Sequence, residues 1–176
     1  MTKIEKRIGV LEDAIQQVEN GSFLMGRGRG FSFPISEVNW KKYNKQEFQS
    51  FLLKPGNQCS VCAKGALLVS TVRKFDSCSG EFFLELTARF CTTKNVLTKL
   101  FGQKTLDRME VLFEGRIFSW THKHYQEETL NGRKLLEQSR FLPNDFAEKA
   151  IAIFKAELAT EKAKLAVSGR TENDNF

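Results

Sequence analysis

The chain has 176 residues, 41% of them apolar with sixteen Phe, and a net charge of +6. That much apolar surface can offset ordering entropy, which excludes a wholly disordered chain, and a core of this size needs no disulfide or metal staple. No apolar run approaches the roughly 18–20 residues that span a bilayer, and the basic charge is spread among acids rather than gathered in a stripe.

Residues 2 to about 20 are expected to form an amphipathic helix. Thr2 and Glu5 have capping-box spacing, and Ile4, Ile8, Leu11, Ile15 and Val18 recur at steps of four and three. Asn20-Gly21 is a stop signal. Residues 21–44 lack periodicity. The three alternating glycines of 26–30 predict a loop, while Phe31, Phe33 and Ile35 alternate as a short extended piece would. Asn44 caps an expected short helix over about 45–53.

Residues 58 to about 75 read as a central helix. Cys59, Val61, Cys62, Ala66, Leu67, Val69 and Val72 are apolar on nearly every side, as in a buried rod. A strand over Leu67–Val72 stays open, because periodicity alone does not separate a buried strand from a buried helix segment. Residues 80–92 suit either a helix or a strand, with the helix favoured by Glu81 and Arg89 at its ends.

Two short helices are expected over 93–115. Thr93 caps the first and Gly102 closes it; Thr105 caps the second and Gly115 closes that. Another helix covers about 128–141 with Leu130, Leu135 and Leu136 inward. Pro143 begins a last helix reaching about 167. Its Ala-, Lys- and Glu-rich end projects from the body, and 168–176 form a frayed tail. The fold class is therefore mainly all-α: one compact helical domain over 1–167 with a central buried helix and room for a short β element.

Candidate chemistry is sparse. Arg27 and Arg29 in the glycine loop, with Lys41 and Lys42 nearby, could grip an anion or nucleic acid, because glycines free backbone N–H groups and guanidinium forks hold phosphate. The segment is neither a dinucleotide fingerprint nor a Walker loop. Cys59 and Cys62 form a C-x-x-C and are a candidate thiol site, since a helix start stabilises a thiolate. The alternative is that both are small core hydrophobes. Zinc would need a second ligand pair; Cys78 and Cys91 are too far apart, and His122 with His124 lack finger spacing. A Cys–His nucleophile pair, Cys59 with His122 or His124, is not selected by spacing. No metal and no cofactor is expected, and no catalytic residue is assigned. Met1–Glu5 lack the apolar core of a signal peptide, so the expected location is the cytoplasm, with reduced cysteines.

Cys59 to Leu67 reads Cys-Ser-Val-Cys-Ala-Lys-Gly-Ala-Leu. It resembles a C-x-x-C-A-x-G-A-L segment in a helical domain, without an assigned activity, of small proteins from bacteria and their phages. Met109 to Glu114 is similar to a segment that follows it in some members. The resemblance covers about a third of the chain; it implies a prokaryotic or phage origin and a helical fold. The leading expectation is a non-enzymatic binding protein acting on a host or cellular protein. A nucleic-acid or nucleotide-phosphate binder and a thiol or zinc enzyme stand as alternatives.

Overall fold

A computed structural model describes residues 1–26, 31–32, 58–75, 96–117, 125–126 and 129–173. The expected helix over 45–53 and the helix-or-strand at 80–92 lie outside these residues. The described chain is mainly helical, with one small sheet.

Helix α1 spans Lys3–Glu19. Its start is a capping box: the Glu5 N–H donates to Thr2 Oγ1 at 3.2 Å, and the Thr2 N–H donates to Glu5 Oε2 at 2.5 Å. Gly21, at φ 75°, turns the chain out of the helix. The expected stripe holds: Leu11, Ile15 and Val18 are buried, and Val10 and Ala14 widen it.

Three short strands follow, β1 (Phe23–Met25), β2 (Phe31–Ser32) and β3 (Cys59–Val61). β3 lies in the centre, parallel to β1 and antiparallel to β2, with Phe23 opposite Cys59 and Phe31 opposite Val61. The central helix expected from residue 58 therefore begins only at α2, Ala63–Lys74. The reason is non-local. Cys59 to Val61 find backbone partners on both sides in strands distant along the chain, and a central strand so paired leaves nothing for a helix to satisfy. The rest of the rod is as expected, with Ala66, Leu67, Leu68, Val69 and Val72 all buried.

Helix α3 spans Val96–Phe101 and α4 spans Gln103–Glu114. Gly102 closes α3, its N–H donating to Thr98 O at 2.8 Å. It also serves as the N-cap of α4, in place of the expected Thr105, because its φ of 82° lets the chain reverse with no residue to spare. Thr93 lies outside the described residues. Gly115 ends α4 in the left-handed region, at φ 68°, as expected. Helix α5 spans Leu130–Arg140, capped by Thr129, whose Oγ1 accepts from the Gly132 N–H at 3.0 Å.

The last helix, α6, spans Phe146–Asn173. It starts three residues beyond Pro143, because Asp145 takes the capping role: its Oδ1 accepts from the N–H groups of Ala147 and Glu148 at 2.9 and 3.0 Å. It also continues past the expected end near 167. Glu19 pairs with Lys155 and Glu12 with Lys162, each pair one heptad along from the other. These pairs fix α1 and α6 as antiparallel neighbours. Past Glu161 the side chains of α6 through Ser168 are exposed apart from the half-buried Leu165.

The main core joins α1, α2 and α6 with β1, β3, α3 and α4, with Leu11, Leu67, Met109, Phe113 and Phe154 among its deepest side chains. A satellite cluster of Val111, Ile117, Tyr125 and Leu135 holds α5 against α4. No described helix is long and apolar enough to cross a membrane.

Candidate functional site

Of the residues singled out from the sequence, Cys59 and Cys62 are described. Arg27, Arg29, Lys41 and Lys42, like Cys78, Cys91, His122 and His124, lie outside the described residues.

Cys59 opens β3, and Cys62 is the extended N-cap residue of α2, at φ −87° and ψ 178°. Three extended steps separate the two Cα atoms by about 10 Å, well beyond the ~4.4–6.8 Å that a disulfide tolerates. Residues three apart on extended chain also point to opposite faces. The C-x-x-C is therefore laid out so that its two thiols face different parts of the interior. Both are free and buried. Burial pushes the Cys59 thiol up to about 12, with Arg73 opposing weakly. Burial likewise pushes Cys62 up to about 11, assisted by Glu110 and Glu114 and opposed by backbone N–H groups of Gly65 and Lys64. The helix start does favour the Cys62 thiolate, but desolvation outweighs it. This is the electrostatics of core filling.

At the helix contacts, buried carboxylates are each met by a cation. Asp13 of α1 accepts from Arg73 Nε of α2 at 3.2 Å and from Gln17 Nε2 at 3.3 Å. Glu161 of α6 accepts from Arg7 at 3.1 Å and from Lys164 at 2.6 Å, while Arg7 Nε also donates to Leu100 O. Glu157 of α6 pairs with Arg108 of α4. Lys64 of α2 bridges Asp107 and Glu110 of α4, and Gln103 Nε2 donates to Asp107 Oδ1 at 2.6 Å. Glu114 lies 3.7 Å from Arg116. A buried charge is tolerable only when paired, so these contacts fix which helix faces which. Among the described residues no group of three or more His, Cys, Asp or Glu side chains is arranged to hold a metal ion.

The surface feature that sequence reasoning missed is the outer face of α5. Leu130, expected inward, is 63% exposed, and Phe141 at the helix C-cap is 83% exposed. Leu135 alone of the expected trio is fully buried, with Leu136 half-buried. Between the two exposed apolar ends lie Arg133, Lys134, Glu137 and Arg140, all exposed. Eleven helical steps come to just over three full turns, so Leu130 and Phe141 lie on the same side of α5, about 16 Å apart along it. That spacing was readable in the sequence, but three leucines at helical spacing gave no means of deciding which one was left out of the core. Neither family models nor curated proteins nor solved structures yield a match to this chain.

Proposed function

We propose that this protein is a non-enzymatic binding protein that works by engaging another protein. The observation that carries the reading is the fate of the reactive side chains. The described thiols are buried and held neutral, and the buried carboxylates are engaged by cations at helix contacts. Such groups specify a fold rather than turn over a substrate. Free thiols in the core fit the reducing cytoplasm. The resemblance of the Cys59–Leu67 segment supports a bacterial or phage origin, and with it a host protein as the partner.

Affinity capture of the tagged full chain from a bacterial lysate, with mass spectrometry of the eluate, tests the reading. A stoichiometric protein partner that survives nuclease treatment is the expected result. Capture of nucleic acid alone, or of nothing across a salt series, would overturn it. So would rapid alkylation of Cys59 or Cys62 in the native protein, since a reactive thiol requires a thiolate that meets solvent.

A further inference from the structure

We propose that the outer face of α5 is the docking surface, and that it fits an acidic protein surface carrying apolar pockets. The inference rests on the binding-protein reading and assigns it a site. Among the described residues α5 packs through one small cluster, Val111, Ile117, Tyr125 and Leu135, and its opposite side is exposed. That side carries an exposed leucine at one end and an almost fully exposed phenylalanine at the other. An amphipathic helix docks through apolar anchors spaced by whole turns, and an aromatic is the strongest kind of anchor.

Charge identifies the occupant. At the α1–α6 contact three lysines of α6 are each paired with an acid, Lys155 with Glu19, Lys162 with Glu12 and Lys164 with Glu161. On α5, Arg133, Lys134 and Arg140 surround the single acid Glu137, and none of the three forms an ion pair among the described residues. The complement of such a face is an acidic one, which would be steered in by the cations and fixed in register by the apolar ends. The exposed Leu130 and Phe141 find no apolar counterpart on a phosphate backbone, so a protein surface with apolar pockets fits better than a nucleic acid.

The probe is a dye-labelled peptide of alternating Glu- and Leu-rich turns, titrated with the full chain and read by fluorescence anisotropy at low and high salt. A random-sequence oligonucleotide serves as the second probe. The acidic peptide should bind, and binding should weaken as salt rises. Leu130→Ser/Phe141→Ser and Arg133→Glu/Lys134→Glu/Arg140→Glu should each weaken it by about tenfold or more. The charge-matched control Lys74→Glu/Lys99→Glu/Lys104→Glu, at exposed cations elsewhere, should leave it within about twofold. Circular dichroism confirms that each variant is folded. Equal loss in the control, no loss in the α5 variants, or preference for the oligonucleotide would overturn the assignment. If lysate capture then still yields a partner with the α5 variants, the binding-protein reading stands and only the surface is wrong.

Discussion

Single residues set the geometry of this molecule where backbones come close. Gly132 is the clearest case. A Cβ at that position would lie 1.8 Å from Gln126 O and 2.7 Å from its carbonyl carbon. Both are backbone atoms, so no side-chain rotation can relieve the clash. Alanine is the better helix former by about 1 kcal/mol, but overpacking against fixed backbone costs about 1–3 kcal/mol. The clash should win. Gly132→Ala is expected to lower the urea midpoint and to loosen α5 first, seen as faster amide exchange across Leu130–Arg140 than in the rest of the protein. An increase in stability would show that the 125–126 segment yields freely. The two thiols follow similar logic. Their burial was suggested by the apolar run in which they sit, but their separation was not, since it depends on the chain being extended from Cys59 to Cys62.

Helix caps were the most legible elements. Thr2 with Glu5, and Gly115, stand where their chemistry predicts. Removing the first hydroxyl, in Thr2→Ala, should cost about 1 kcal/mol, measured as a shift in the denaturant midpoint with unchanged slope; a neutral result would mean that the cap adds nothing to what the rest of α1 already holds. Two cap assignments were mistaken for one reason. Thr105 and Pro143 are good starting residues, but Gly102 and Asp145 lie closer to where the chain must reverse, and the reversal is dictated by the neighbouring helix. The strand Cys59–Val61 was missed for a related reason: three residues carry no periodicity, and their partner strands lie 28 or more positions away.

At the scale of the whole molecule, the buried ion pairs make stability depend on pH. Burial tends to raise the Glu161 carboxyl, but the hydrogen bonds from Lys164 and Arg7, with their charges, outweigh it and hold the group below its ordinary value of 4.5. A carboxylate depressed in the folded state stabilises above its unfolded value and loses that contribution as pH falls through the folded one. Stability should therefore fall as pH drops below about 4.5, and less steeply in Glu161→Gln. The thiols act on the alkaline side. Their folded values of about 12 and about 11 lie above the ordinary 9.0. The unfolded chain thus loses protons first, and stability should decline as pH rises from about 9. Urea midpoints across this range should decline less in Cys59→Ala/Cys62→Ala; an identical alkaline limb would mean that the thiols are open to water when folded.

The amino-acid sequence determined the helical class, the amphipathic face of α1, the buried rod of α2 and most helix ends, because these rest on periodicity and capping within one or two turns of chain. Tertiary structure alone decided the small sheet, the cation that meets each buried acid, the antiparallel pairing of α6 with α1 and the outward turn of Leu130 and Phe141. Those outcomes depend on which surfaces meet. A leucine at helical spacing is apolar whether or not a neighbour covers it, and only the packing of α5 on α4 left this one facing water.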